Sequence, residues 1–132
     1  MSRSPFKASR LAGSYLLYLP MCPSTNDRMT HNRYTGRPIL TTKARDYMSW
    51  VRLKAGAWLK AQGIAKISTR TDVSLWMVLP NRNCDPHNYE KVLFDALEKA
   101  GVCTNDKHLL PRYRGIEYDT KETCIVVEVP CS

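Results

Sequence analysis

The sequence predicts a single small α+β domain, in which a mixed β-sheet is packed by two helices in the order β-α-β-α-β-β. Two long stretches carry apolar residues at helical spacing, and short alternating or apolar stretches typical of strands precede, separate and follow them. The length of 132 residues suits one compact domain with a modest core.

The first predicted strand covers residues 15–19, a short apolar and aromatic run that ends at Pro20. Residues 1–13 are small, polar and basic, which is typical of a flexible tail. We therefore expect the folded domain to cover residues 14–132.

Residues 21–42 contain several Pro, Asn and Gly residues without a sustained period, and we interpret them as a long loop. Loops of this length in small domains are usually functional or disordered. Arg28, Arg33 and Tyr34 lie here, a mixture of cations and an aromatic ring that suits a nucleic-acid backbone or an unstacked base. A solvated loop without a ligand is the alternative.

The first predicted helix starts at Thr42, where apolar residues begin to recur at helical spacing, and Gly63 ends the pattern. Residues 71–80 then alternate, with apolar residues on one side and a mixture that includes Trp76 and Val78 on the other. This pattern predicts a strand that is covered on both faces.

The second predicted helix starts at Asp85-Pro86, because Asp caps free N–H groups and Pro at the first helical position loses no donor. Gly101 is the matching end. The apolar residues of one side form a buried stripe: Tyr89, Val92, Leu93, Ala96, Leu97 and Ala100. Phe94 points away from this stripe, so it either rests under another element or meets a partner subunit.

The opposite side of this helix is polar and carries His87, Lys91, Asp95 and Glu98. Lys91 and Asp95 have i,i+4 spacing and alone could form an ordinary surface ion pair. Asp85 at the start of the helix and Asp106 just past its end add two carboxylates to this side. The layout favours a functional site.

Residues 113–118 and 124–129 have the pattern of two strands joined by a polar turn at 119–122, which predicts a closing hairpin. The formal charge of +8 favours a polyanionic partner such as nucleic acid. No apolar run approaches the ~20 residues that a membrane span requires. Five cysteines, without regular spacing or a signal peptide, predict reduced thiols in a cytoplasmic setting.

The segment DPHNYEKVLFDALEKAGVCTND resembles the signature of the RusA family of Holliday-junction resolvases. That signature has an acidic cluster DxDN, a Lys three residues later, the helix text FDAL, and an acidic pair after a KAG turn. Leu19-Pro20, followed by Pro23-Ser24 and Asn26, is similar to the family's first strand and loop. Two positions depart from the pattern: His87 replaces the second acidic residue of DxDN, and Asn105 replaces the first of the final pair.

The resemblance implies a homodimeric, Mg²⁺-dependent endonuclease that resolves Holliday junctions by two symmetric nicks in DNA recombination and repair, in a bacterial or phage-infected cell. It implies that Asp85, His87 and Asp106 ligate the metal and that Lys91 acts near the scissile phosphate or the attacking water. Asp95 would orient Lys91 or line the site, and Asn88 would also support it. Because an imidazole nitrogen at His87 is a softer ligand, we expect Mn²⁺ to serve at least as well as Mg²⁺.

The basic residues that flank this cluster are candidates for DNA-backbone contact, with a solvated surface as the alternative for each. They are Arg82, Lys107, Arg112 and Arg114, in addition to Arg28 and Arg33 of the loop.

Two other functions are compatible with the sequence. Cys84 and His87, with Cys103 and His108, have spacings that a structural zinc tolerates, which would make the chain a zinc-stabilised nucleic-acid-binding module. A catalytically inactive relative that binds branched DNA is the other, with His87 marking the lost ligand set.

Overall fold

The computed structural model of the protein describes residues 14–24 and 29–130. The predicted tail at 1–13 and Arg28 lie outside the described residues. The order of the main elements agrees with the prediction: β1 (Ser14–Leu19), β2 (Met29–His31), β3 (Pro38–Leu40), α1 (Thr42–Gln62), β4 (Thr71–Leu79), α2 (His87–Lys99), β5 (Leu109–Tyr118) and β6 (Cys124–Pro130). A single 3₁₀ turn, Asp106–His108, joins the end of α2 to β5.

Four strands form the main sheet in the order β1-β6-β4-β5. The central strand β4 is parallel to β5 and antiparallel to β6, and β1 is antiparallel to β6. The predicted mixed sheet is therefore confirmed. Neither described helix is long and apolar enough to cross a membrane.

The prediction that residues 113–118 and 124–129 pair as a hairpin is wrong, because β4 lies between β5 and β6. The turn after β5 crosses the end of β4, where the Asp119 N–H donates to the Leu79 carbonyl at 2.9 Å. The physical reason lies in β4, in which seven consecutive residues are buried. A strand covered on both faces is most stable in the centre of the sheet, with partners on both edges.

β5 begins at Leu109, four residues before the predicted start, and Pro111 lies inside it. A proline weakens a strand pattern but is tolerated on an edge strand, which is the position of β5. The predicted long loop at 21–42 contains the short hairpin of β2 and β3. Each of these strands has only three residues and is largely exposed, so no apolar period marks them.

The main core lies between the helices and one face of the sheet. The inward residues of β4 are fully buried, as are the apolar residues of α2: Val73, Leu75, Met77 and Leu79 meet Val92, Leu93, Ala96 and Leu97 in one cluster. Phe94 belongs to the same cluster and is only 7% exposed. Of the two alternatives for Phe94, burial under this chain's own elements is therefore correct.

Candidate active site

The polar side of α2 begins at Asp85, which the end of β4 delivers to the start of the helix. The Asp85 Oδ1 atom accepts a hydrogen bond from the His87 N–H at 3.0 Å. Pro86 already has helical angles, with φ −53° and ψ −35°. Asp85 thus caps the helix as the sequence predicts, and this bond fixes its carboxylate at the N-terminal end of α2.

The other end of α2 is closed by Gly101, whose φ is +87°. The Gly101 N–H donates to the Glu98 carbonyl at 3.0 Å, and the Val102 N–H donates to the Leu97 carbonyl at 3.0 Å. These two bonds form a Schellman motif, which favours glycine because the left-handed conformation is strained for other residues. The motif turns the chain back beside the helix that it has just left.

Backbone hydrogen bonds hold the segment between Gly101 and Asp106 against the chain at Ile67. Ile67 donates to the Val102 carbonyl and accepts from the Thr104 N–H, both at 2.9 Å. The Asp106 N–H then donates to Glu98 Oε1 at 2.7 Å. Glu98 therefore ties the 3₁₀ turn to the polar side of α2.

Asn105, one of the two departures from the family pattern, has a local structural role. Its Oδ1 atom accepts from the Lys107 N–H at 2.9 Å and caps the 3₁₀ turn. An aspartate could accept the same bond, so the change to Asn keeps the turn and removes one negative charge.

Lys91 lies between two carboxylates. Its Nζ atom is 3.2 Å from Asp95 Oδ1 and 3.5 Å from Asp106 Oδ2. The hydrogen bond to Asp95 and the charge of Asp95, followed by the charge of Asp106, raise the pKa of Lys91 above its ordinary value of 10.5. Lys91 is therefore a cation at neutral pH, and its side chain remains about half exposed, at 51%.

His87 belongs to a second group at the start of the helix. Its Nδ1 atom is 3.6 Å from Glu90 Oε2, and its ring meets the ring of Tyr113 edge to face, with centroids 5.1 Å apart. Burial raises the pKa of Tyr113, and the carboxylates of Glu90 and Asp85 raise it further. Sequence reasoning missed Glu90 and Tyr113; the i,i+3 spacing of His87 and Glu90 could have indicated Glu90, but Tyr113 becomes a neighbour only through the fold.

A pocket of about 450 Å³ joins the two groups. Its lining comes from the polar side of α2, the 3₁₀ turn and the start of β5: His87, Asn88, Glu90, Lys91, Phe94, Asp106, Leu109 and Pro111. Of the predicted site residues, the fold thus places His87, Asn88, Lys91 and Asp106 around one cavity. Asp85 and Asp95 are not part of this lining, although Asp95 contacts Lys91, which is.

The predicted metal ligands are chemically suitable, since carboxylates and imidazole both bind divalent cations. Within residues 14–24 and 29–130, however, no three His, Cys, Asp or Glu side chains come together closely enough to hold a metal ion. Asp85, His87 and Asp106 therefore do not converge in this conformation. The cation that Asp106 contacts is Lys91.

The alternative of a zinc-stabilised module also lacks a cluster of ligands. Cys84, His87, Cys103 and His108 do not form a cluster in the described part of the chain. Burial, together with nearby carboxylates, raises the pKa of Cys103 to about 11, which disfavours the thiolate that zinc requires. Within the described residues, four cysteines form no disulfide: Cys22, Cys84, Cys103 and Cys124.

Two of the predicted DNA contacts point away from the pocket. Arg112 is 3.3 Å from Asp72, and Arg114 Nε donates to Ser74 Oγ at 3.1 Å. Asp72 and Ser74 alternate with the core residues of β4, so both arginines lie on the sheet face opposite the helices.

The other predicted contacts are spread over the surface. Arg82 stacks on the Tyr118 ring at 5.1 Å, and Arg33 is exposed in the turn between β2 and β3. Lys107 is exposed directly after Asp106, which makes it the predicted cation nearest the pocket along the chain.

Comparison with known families identifies the chain. The family model described as Endodeoxyribonuclease RusA matches residues 19–129, which is most of the 132-residue sequence. No curated protein matches the sequence. The chain belongs to the RusA family of endodeoxyribonucleases, and the resemblance seen in the sequence is confirmed.

Proposed function

We propose that this member of the RusA family is a divalent-cation-dependent endonuclease that resolves Holliday junctions by paired symmetric nicks in DNA recombination and repair. The observation that carries the proposal is the position of Lys91, which two carboxylates hold at the edge of an open pocket. Six of the eight residues that line this pocket lie in the segment 85–106, which resembles the family signature.

Hydrolysis of a phosphodiester needs an activated water and positive charge near a transition state that is more negative than the substrate. Lys91 supplies a fixed positive charge at the pocket, and Asp95 orients its ammonium group. Phe94, Leu109 and Pro111 give the same pocket an apolar wall.

We propose that Asp85, His87 and Asp106 hold the divalent cation. A bound Mg²⁺ or Mn²⁺ supplies a more acidic water and Lewis-acid stabilisation of phosphate oxygens. Because the three side chains do not converge in the described conformation, the proposal requires that they rearrange on binding. Titration of Mn²⁺ by calorimetry tests this without cleavage: the wild type binds, and Asp106→Asn binds at least about tenfold more weakly, since one charged ligand is lost.

Branched DNA is the proposed partner, and with a DNA substrate we also propose the cytoplasm of a bacterial or phage-infected cell as the location. The formal charge of +8 favours binding to a polyanion. Two nicks at symmetric positions require two sites related by a twofold axis, so we also propose a homodimer.

A labelled synthetic four-way junction, assayed beside a linear duplex of the same sequence, tests the function. With Mg²⁺ or Mn²⁺ we expect paired nicks in the junction and none in the duplex, and with EDTA no cleavage. Tight junction binding without cleavage in either metal would contradict the proposal and support the inactive branched-DNA binder. In that case His87→Asp, which restores the family residue, is the variant to test for recovery of cleavage.

A further inference from the structure

We propose that Glu90 is a positioning residue for His87: its carboxylate holds the Nδ1 side of the imidazole, so that the Nε2 atom remains available to a divalent cation. The inference rests on the proposed function, in which His87 is one of three residues that hold the cation. It adds to that site a residue to which the sequence pattern gave no role.

Two contacts hold the imidazole of His87. Its Nδ1 atom is 3.6 Å from Glu90 Oε2, a charge-pairing distance slightly longer than a hydrogen bond. The Tyr113 ring meets the imidazole edge to face, with the centroids 5.1 Å apart and the planes at 75°. These contacts restrict rotation of the ring, although the side chain of His87 is 69% exposed. A carboxylate at one ring nitrogen also determines which nitrogen carries the proton and which is left for a ligand.

The start of α2 sets the distance between His87 and Glu90. The two residues lie three positions apart on the same side of the helix. The Asp85 Oδ1 atom accepts the His87 N–H at 3.0 Å, which fixes the backbone of His87 at the helix start. The imidazole therefore extends from a fixed point, and Glu90 is the carboxylate that reaches its Nδ1 atom.

An ordinary surface ion pair is the alternative for His87 and Glu90, because acidic residues are common in the first turn of a helix. Two observations argue against it. The Glu90 side chain is only 27% exposed, whereas those of the surface pair Asp72 and Arg112 are 58% and 56% exposed. Glu90 also lines the same pocket as His87. Its carboxylate therefore belongs to the candidate site.

The other carboxylates of this side of α2 have different contacts. Asp95 and Asp106 both lie within 3.5 Å of the Lys91 ammonium. In the part of the chain that the structure describes, the carboxylate in charge-pairing contact with His87 is that of Glu90. The pocket thus has two separate groups, and Glu90 supplies the negative charge of the group that contains the imidazole.

A carboxylate in this position has a defined effect on a histidine ligand. Histidines that bind metals generally donate their other ring N–H to a carboxylate, a carbonyl or water, which fixes the tautomer and makes the binding nitrogen more basic. Loss of such a partner typically weakens metal binding by about 10–100-fold. The charge of Glu90 also offsets the negative charge that is lost because His87 replaces an acidic residue of the family signature.

The position of the proton on His87 tests the inference without metal or DNA. Long-range ¹H–¹⁵N NMR distinguishes the two neutral tautomers, and the chain has only three histidines to assign. At about pH 8.5, well above the ordinary histidine pKa of about 6.5, we expect His87 to carry its proton mainly on Nδ1. Glu90→Ala should move the proton mainly to Nε2, because no carboxylate then holds the Nδ1–H group.

Glu122→Ala is the matched control, since it removes an exposed carboxylate from the turn between β5 and β6 and should leave the tautomer unchanged. Melting followed by circular dichroism checks that every variant is folded. Glu90→Gln, which keeps the size of the side chain and loses its charge, replaces Glu90→Ala in the binding experiment if the alanine variant does not fold. A wild-type His87 with its proton mainly on Nε2, or the same tautomer in Glu90→Ala as in the wild type, would overturn the inference.

Calorimetric titration of Mn²⁺ shows whether Glu90 acts through His87. Glu90→Ala should weaken binding at least about tenfold when His87 is present. In the His87→Asp background, which has no Nδ1–H group to hold, the same change should alter binding by less than about twofold. An equal loss in both backgrounds would overturn the inference, because Glu90 would then act as a direct ligand or as a general negative charge.

Junction cleavage by the same proteins separates this inference from the proposed function. If the wild type cuts and Glu90→Ala cuts more slowly with weaker Mn²⁺ binding, both are supported. If Mn²⁺ binding depends on Glu90 as expected but the wild type cuts no junction, the inference stands and the nuclease is contradicted. If the wild type cuts and Glu90→Ala binds Mn²⁺ as tightly as the wild type, the nuclease stands and the inference is overturned.

Discussion

Two neighbouring carboxylates keep the side chain of Lys91 protonated. Its ammonium contacts Asp95 and Asp106, and the hydrogen bond to Asp95 is the largest cause of its raised pKa. The stabilisation from this contact is fully present below pH 10.5 and is lost as pH rises through the higher folded-state pKa. The charge of Lys91 therefore does not limit cleavage near neutral pH.

Asp95→Asn should lower the pKa of Lys91 towards its ordinary value of 10.5, because it removes the main partner. Titration of the lysine side-chain resonances by NMR measures this pKa. Asp72→Asn is the matched control, because Asp72 contacts Arg112 instead. An unchanged pKa in Asp95→Asn would show that Asp95 does not orient Lys91.

Asp85 combines a structural role with a proposed catalytic one. Its Oδ1 atom accepts the His87 N–H, and asparagine can accept the same bond. Asp85→Ala should lower the free energy of unfolding by about 1 kcal/mol, while Asp85→Asn should leave it nearly unchanged. Urea denaturation measures the difference. Both variants should lose junction cleavage, since both remove the charge, and normal cleavage by Asp85→Asn would exclude Asp85 from the site.

Glu98 lies on the polar side of α2, and the sequence assigned it no role in the site. It accepts the Asp106 N–H at 2.7 Å, so we expect Glu98→Ala to slow cleavage about tenfold by loosening the 3₁₀ turn. Glu98→Gln keeps an acceptor and should cleave at nearly the wild-type rate. Calorimetric binding of Mn²⁺ should weaken in Glu98→Ala alone. Equal losses in both variants would indicate that the charge of Glu98 matters instead of its hydrogen bond.

At the scale of elements, the end of α2 determines where Asp106 lies. Gly101 has φ +87°, and its Schellman motif starts the turn back towards the helix. Gly101→Ala should lower the free energy of unfolding by about 1–2 kcal/mol, because alanine is strained in this conformation. Gly101→Asn should cost less, since asparagine tolerates it better. Thermal unfolding compares the two, and equal stability of the alanine variant and the wild type would contradict this role.

The elements that the sequence predicted well are those with a strong period. Each of α1, β4 and α2 buries a continuous apolar face. The spacing of apolar residues within each segment is therefore enough to predict its secondary structure. The pairing of β5 and β6 could not be predicted in the same way, because β4 takes both of them as partners. The hairpin of β2 and β3 was missed because its strands are too short to show a period.

The candidate site was partly predictable for a similar reason. Spacing along one helix indicated that Lys91 meets Asp95, and the structure has this contact. Tyr113 comes from a distant strand, so no local pattern marks it. The helical period places Glu98 on the polar side of α2, but its contact with the backbone of Asp106 depends on the fold. The order of residues in a family signature also does not fix the distances between them, and Asp85, His87 and Asp106 remain apart in the described conformation.

At the scale of the whole molecule, two of the predicted DNA contacts and the candidate site lie on different faces of the sheet. The pocket lies beside α2, whereas Arg112 and Arg114 lie on the opposite face of the sheet. These two arginines therefore cannot contact a phosphate held in the pocket of their own subunit. The formal charge of +8 favours binding of the chain to a polyanion such as DNA. The family match assigns the chain to the endodeoxyribonucleases.

If the pocket between α2 and the 3₁₀ turn cuts branched DNA, cleavage should depend on the charge of Asp106, and Asp106→Asn removes that charge alone. Junction binding and junction cleavage should be measured side by side for this variant and the wild type, with Mn²⁺ present. We expect binding to stay within about threefold while cleavage falls by at least about 10²-fold, because asparagine keeps the size of the side chain and loses its charge. Near-normal cleavage by Asp106→Asn would contradict the claim and place the chemistry elsewhere on the molecule.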